Sequence, residues 1–320
     1  MFLRTIIALA MLAASVAVWA QSYPSKPVRV IVTFPPGGTP DIYGRVMSAE
    51  LQKIWNQSVV VENRTGAGGT IGTDYVAKAG PDGTTLLFAA DATITIAPHL
   101  YSKLPYDPVR DLAPIVNVAA GPFVLMANPA FAPNSVKELI ALVQTQPGKV
   151  SYASSGAGGQ QHLAMEYIRT MAGSMDMIHV PYKGFGQGIA DVLANQVPLI
   201  FGGITASIQL TRSGKLKALA VTGPKRAKAL PNVPAVAETL PGFDITAWYG
   251  FLAPAGTPRE IVKRIHDDSV AVIKRPDFLE RLDRDGLSPV GNTPEEFAAQ
   301  IKADLAHWAG IVKAAGAKLD

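Results

Sequence analysis

One pattern recurs along this chain and narrows its possible folds more than any other feature. A short apolar, β-branched run is followed by a glycine-rich stretch and then by a segment with helical spacing. Val28 to Phe34 reads as a strand and Pro35-Pro36-Gly37-Gly38-Thr39-Pro40-Asp41 as its loop. Ile42 to Ile54 reads as a helix with Ile42, Val46, Leu51 and Ile54 on one side. Ser58 to Glu62, the loop Asn63 to Gly72 and a helix around Thr73 to Ala79 repeat the unit, and Thr85 to Ala89 is a third strand. Val150 to Ala153, Met177 to Val180 and Leu199 to Phe201 each lead into glycine loops and helices, and Leu216 to Val221 is a further strand. Such alternation predicts an α/β fold with largely parallel sheets.

The last third reads as mostly helical. Thr257-Pro258-Arg259-Glu260 and Thr293-Pro294-Glu295-Glu296 have capping-box spacing with proline at the first helical position, and Ser135-Val136-Lys137-Glu138 is a plainer example. At 320 residues the chain is long enough for about two domains. No flexible linker separates two halves, so the expected joins are structured crossings, near Ile115 to Asn128 and Asp244 to Leu252. With 48% hydrophobic and 17% charged residues, the chain can bury sizeable cores.

Composition removes several functions. There are no cysteines, so disulfides, thiolate metal sites, cysteine nucleophiles and lipid attachment through cysteine are excluded. The net charge of +4 is not gathered into a basic block, which argues against nucleic acid. His99, His162, His179, His266 and His307 are scattered without metal-ligand spacing, so no metal is expected. Both candidate G-x-G-x-x-G stretches fail at their last position, at Ile71 and Gln161, and no cofactor is expected. Ser154 and Ser155 lack the first glycine of a nucleophile elbow, and no catalytic set is assigned.

The N-terminus carries one positive charge, Arg4, before the apolar run Ile6 to Trp19, which ends in Val18-Trp19-Ala20. This reads as a secretory signal over residues 1–20, cleaved after Ala20, and the mature chain is expected in the periplasm.

Glycine loops between strand and helix let backbone N–H groups approach an anion, and the helix N-terminus adds positive potential. Several such loops at the carboxyl ends of parallel strands would line one crevice. The same glycines also suit tight left-handed turns. His162 sits at a helix start, where capping or packing is the plainer role, and Trp248-Tyr249 are either packing residues or a pocket wall.

Six blocks then occur in a telling order. They are Phe34-Pro35-Pro36-Gly37-Gly38 with Asp41, Val61-Glu62-Asn63-Arg64 with Gly66-Ala67-Gly68-Gly69, Pro81-Asp82-Gly83, Leu104-Pro105-Tyr106-Asp107-Pro108, Val180-Pro181-Tyr182-Lys183-Gly184, and Phe251-Leu252-Ala253-Pro254 continuing as Ala255-Gly256-Thr257-Pro258. Together they resemble the Bug family, the periplasmic receptors of tripartite tricarboxylate transporters, over essentially the whole mature chain. The resemblance implies a two-lobed, type II-like periplasmic-binding-protein (Venus-flytrap) fold, with a mainly parallel sheet in each lobe. Lobe one would be 21–121 plus 247–320 and lobe two 122–246. It implies a monomer that captures a small carboxylate-bearing ligand, such as a di- or tricarboxylate, an aromatic acid or an amino acid, and delivers it to the transporter's membrane components.

Carried over, the ligand contacts would be Phe34, Pro35, Pro36, Gly37, Gly38, Thr39 and Asp41 in the first loop and Thr65, Gly66, Ala67 and Gly68 in the second. Asp91 and Thr93 would come from the third. Lobe two would offer Ser155, Gly156, Gly158, His162, Tyr182, Lys183 and Gly184, with Gly202 in its wall. Relatives often carry Phe-Asp-Asn where this chain has Phe201-Gly202-Gly203, a small residue in place of Asp91, and Asp-Gly-Tyr in place of Asp82-Gly83-Thr84. Asp91 either faces the ligand or caps a helix beginning near Thr93. Two other functions fit such a scaffold: a secreted hydrolase using Ser155 and His162, or a sensor passing ligand occupancy to a signalling partner.

Overall fold

The computed structural model describes residues 23–173 and 175–319, so the segment read as a secretory signal lies outside the described residues. The chain opens with β1 (Val28–Val32), α1 (Thr39–Trp55), β2 (Val59–Asn63), α2 (Thr70–Ala77) and β3 (Thr85–Ala90). A π-helical turn (Ala92–Ile96), the short α3 (Ala97–Leu100) and the long β4 (Leu112–Ala127) follow. Next come α4 (Val136–Thr145), β5 (Ser151–Ser154), α5 (Gln160–Met171), β6 (Ile178–Pro181), α6 (Phe185–Leu193), β7 (Leu199–Gly203), α7 (Ile204–Arg212) and β8 (Lys217–Val221). The chain ends with β9 (Thr246–Pro254), α8 (Arg259–Ile273), α9 (Pro276–Arg284), β10 (Ser288–Pro289) and α10 (Pro294–Ala315). Among the described residues, no helix is long and apolar enough to cross a membrane.

The strands run in the order β2-β1-β3-β9-β4-β7-β5-β6, with β8 and β10 also on β4. The parallel pairs are β1 with β2 and β3, and β5 with β6 and β7. Every antiparallel pair involves β4 or β9, the two expected crossings. The result is two mixed sheets sharing one strand. β4 pairs with β9 as far as Pro122, then from Phe123 runs between β7 and β8.

The first sheet is buried on both faces, as parallel strands covered by helices must be. Alternate residues of β3 serve different cores: Leu86 and Phe88 join Tyr43 and Met47 of α1, whereas Leu87 and Ala89 join Val76, Trp248 and Phe297. Gly44 lets α1 lie close on that sheet, because a Cβ there would come 2.9 Å from Val32 and 3.3 Å from Phe88. α10 packs against both the π-helical turn and α5, so it touches elements of the two sheets.

Two of the expected caps form. Ser135 accepts from Glu138 N–H, and Thr293 makes a full capping box with Glu296. The third does not: α8 starts after Pro258, and the buried Thr257 hydroxyl donates to the Pro254 carbonyl, 2.7 Å away, in the turn that ends β9. No helix begins regularly at Thr93 either, since a π-helical turn follows Asp91 and its side chain makes no cap bond.

Candidate functional site

The loops in question lie at the carboxyl ends of β1, β2, β3, β5, β6 and β7, and all but the one after β3 contain glycine. The helices that follow five of them start in the same unusual way. α1, α2, α5, α6 and α7 have Gly38, Gly69, Gly159, Gly184 and Gly203 at their N-caps, each without a side-chain cap. The first-turn N–H groups of a helix have no intrahelical partner, and a glycine cap leaves them approachable. By contrast α4 and α10 begin with side-chain caps.

In the first loop Pro35 to Gly38 are exposed, Phe34 and Thr39 are half-buried, and Asp41 is turned inward. Asp41 accepts from Gly37 N–H at 3.0 Å, Arg45 at 2.9 Å and Asn63 at 2.8 Å, and Asn63 also donates to the Phe34 carbonyl. Burial alone would raise the Asp41 carboxyl, but these hydrogen bonds outweigh it and hold it below its usual value. Asp41 therefore shapes the loop and ties it to the end of β2. The second loop exposes Thr65, Gly66, Ala67 and Gly68. It turns down at Gly69, whose φ of +97° suits glycine, and a Cβ there would meet Thr93 at 2.5 Å. Thr93 is fully buried, its hydroxyl donating to Ala90 O, so it supports the loop from beneath.

In the second sheet the loop after β5 is held by its own side chains. Ser155 bonds Gln161 through both N–H and hydroxyl. His162 Nδ1 accepts from Gly158 N–H at 3.1 Å, the back-capping role open to it from sequence. Ser155 and His162 thus both bond elsewhere, and the hydroxyl that meets a histidine belongs to Ser154, 2.7 Å from His179 Nε2. Tyr182 donates to Asp191, its hydroxyl pushed up to about 12 by burial and then by that bond. Lys183 is exposed, its N–H bonded to Gln187, and Gly184 precedes α6. Gly202 is buried rather than open: a Cβ there would come 2.7 Å from Met126 and Ser207 and 2.9 Å from Phe185.

The two sets of loops meet. Gln160, the first residue of α5, donates to Asp91 Oδ2 at 2.5 Å. Asp91 and Thr39 both lie near enough to the Tyr249 hydroxyl to act on its ionisation. A Cβ on Gly203 would lie 3.9 Å from the Thr39 hydroxyl, and one on Gly158 would lie 3.0 Å from both Leu100 and Leu319. Gln160 and Tyr249 were absent from the nominated set; Tyr249 left a trace only as a possible pocket wall. A recess of about 540 Å³ does occur elsewhere, lined by Arg29 and Thr85 at the strand starts, by Tyr75 of α2 and by Lys78 just after it. It holds none of the loop-capping glycines, and in open α/β sheets the carboxyl strand ends are the ligand side.

Beneath the loop after β5 lies a stack of three rings. His162 and His179 are 3.9 Å apart and nearly parallel, with Tyr152 5.0 Å beyond His179. Burial and then the His162 ring push His179 down to about 4, and burial also lowers His162. An unfolded histidine titrates near ~6.5. Between about pH 6.5 and 4 the unfolded chain therefore binds protons that the stack refuses, and stability falls as pH drops through that window. Urea midpoints from pH 7 to 4 should show this slope, reduced in His179→Gln; an unchanged slope in the variant would remove the stack as its cause.

A family model described as the tripartite tricarboxylate transporter family receptor matches residues 43–317. The chain is 37% identical to Protein BugT of Bordetella pertussis over 316 residues, covering 98% of this chain and 96% of that one. Among solved structures it is similar to a Rhodopseudomonas palustris protein determined with adipate, at TM-score 0.86 and 32% identity, covering 93% of this chain and all of that one, 100%. It is also similar to MatC from the same species with bound malate, at TM-score 0.81 and 30% identity, covering 91% and 100% of the two chains.

Proposed function

The chain belongs to the tripartite tricarboxylate transporter receptor family, a family of periplasmic solute-binding receptors with the two-lobed fold, and from that premise we propose that it closes over a small carboxylate-bearing ligand and hands it to the membrane components of such a transporter. The observation that carries the ligand class is the set of five glycine-capped helix starts at carboxyl strand ends, three of which, at Thr39, Gln160 and Gly203, come together near Asp91 and Tyr249. Backbone N–H groups and helix dipoles at these starts favour an anion. The adipate and malate of the similar structures support a carboxylate.

We assign residues 21–121 and 247–320 to lobe one and 122–246 to lobe two. The change of β4 partners between Pro122 and Phe123, and the start of β9 at Thr246, support these limits. Cleavage after Ala20, a periplasmic mature chain and a monomeric state complete the proposal. The ligand contacts are the loop backbones at Phe34 to Thr39, Thr65 to Gly68, Ser155 to Gly158 and Lys183-Gly184, and Asp41, Thr93 and His162 act by holding those loops. Gly202 belongs to the packed wall behind them.

Gly38 offers a clean test. Its N-cap conformation is extended, and a Cβ there would make ordinary 3.7 Å contacts with Pro35 and Pro40. Gly38→Val should therefore fold normally yet crowd the approach to α1. Against a panel of di- and tricarboxylates, calorimetry should show at least about tenfold weaker binding, or ~1.4 kcal/mol. Small-angle scattering of the wild type at saturation should show a smaller radius of gyration. A folded Gly38→Val protein with unchanged affinity would remove the first loop from the site.

A further inference from the structure

Asp91 follows directly on β3 and is 1% exposed. Its two carboxylate oxygens are treated differently. Oδ2 is held by Gln160, which reaches over from the second sheet. Oδ1 is buried and, among the described residues, has no hydrogen-bond partner. The side chain makes no helix cap. The ionisable neighbours that act on it are Asp304 of α10 and the Tyr249 hydroxyl of β9, and neither is cationic. Burial first, then Asp304, raise its carboxyl well above the usual range, against the pull of nearby backbone amides.

A buried carboxylate oxygen without a partner is costly, and a buried carboxylate without a counter-charge more so. Among the described residues there is neither a hydrogen-bond partner for Oδ1 nor a cation acting on the carboxyl. Close by, Thr39 at the first glycine-capped helix start approaches Tyr249 and Gly203. One side of the site is thus suited to an anion and the other lacks a cation. Resting on the carboxylate-receptor reading, we propose that Asp91 is a specificity-determining residue that accepts a hydrogen bond from an ammonium group on the ligand, so that the receptor selects amino-bearing carboxylic acids over plain ones. Gln160 is its positioning residue: bonding Oδ2 from the opposite sheet leaves Oδ1 for the ligand, and only when the two sets of loops are together.

Matched acids that differ by one ammonium group test this: succinate with L-aspartate, glutarate with L-glutamate, and 3-phenylpropionate with L-phenylalanine. Calorimetry on the wild-type protein should show the amino member binding at least about tenfold tighter in every pair that binds at all. Asp91→Asn retains an acceptor for Gln160 but removes the charge. It should shrink the preference to about threefold or less, mainly by weakening the amino member. Gln160→Met should weaken the amino member more than the plain one. The proposal is overturned if plain acids bind as tightly as their amino partners in the wild type, a result that needs no variant to fold. It is also overturned if Asp91→Asn weakens both members alike. If no acid of any pair binds, the carboxylate-receptor reading fails, and this inference fails with it.

Discussion

Arg169→Met is expected to destabilise the protein by about 3 kcal/mol. Arg169 holds both oxygens of Glu166, at 2.6 and 2.9 Å, and its Nε donates to the Met175 carbonyl at 2.7 Å. Glu166 is 9% exposed and also accepts from the Tyr152 hydroxyl at 2.5 Å. Methionine would replace much of the aliphatic volume of arginine but leave a buried carboxylate with no cation. Removing one partner of such a pair costs far more than the pair is worth against an apolar substitute. The double variant Arg169→Met with Glu166→Leu should therefore recover much of the loss, giving a coupling energy of about 1–3 kcal/mol in a double-mutant cycle. The effect should reach the site as well, because Tyr152 stacks on His179 beneath the loop after β5. A single-variant cost under about 1 kcal/mol, with no recovery in the double variant, would show that Glu166 is adequately solvated without Arg169.

Gly250→Ala should be nearly as damaging, at about 3 kcal/mol, the upper end for overpacking. Gly250 sits where β9 passes between β3 and β4. A Cβ there would come 2.5 Å from the Val116 carbonyl oxygen, 3.0 Å from Phe297 and 3.1 Å from Asn117 Cα. Two of these atoms belong to the backbone of β4, so the added methyl cannot be absorbed by a rotamer change. The register of β4 against β9 already slips on both sides of this point, between Pro114 and Val116 and between Asn117 and Ala119. Since β4 and β9 are the two crossings, the variant should also alter closure, seen as a changed radius of gyration with ligand. Gly310→Ala is the control: it is exposed within α10 with nothing within 4 Å, and should gain about 0.5–1 kcal/mol in urea unfolding. Equal stability of wild type and Gly250→Ala would mean that β4 moves aside at little cost.

Much of this architecture was legible residue by residue. The β-branched runs predicted at Val28, Thr85 and Leu199 became β1, β3 and β7, and the periodic segment after Asp41 became α1, starting slightly earlier at Thr39. Local signals sufficed because strand alternation, helical spacing and Ser or Thr caps act over a few residues. The caps at Ser135 and Thr293 formed for that reason, whereas Thr257 was claimed by a carbonyl in the preceding turn. The ordered glycine blocks pointed to the receptor family, which the matches across the chain bear out.

The side-chain roles within the site were a different matter. Asp41, Thr93 and His162 were all nominated to face a ligand, and their polar atoms instead hold loops or local backbone. Gly202, nominated to the wall of lobe two where relatives carry an Asp, is packed against Met126, Ser207 and Phe185. The bond between Asp91 and Gln160, the approach of Tyr249 to Asp91 and Thr39, and the stack of His162 on His179 left no mark in local pattern. The succession of strands, helices and glycine turns along the chain is local information, because hydrophobic period and turn chemistry are short-range. Which polar atoms are already taken, and that Asp91 Oδ1 is not, emerges only once the chain is folded. That depends on two crossing strands bringing distant loops within hydrogen-bond reach, where a few tenths of an ångström separate a partner from none.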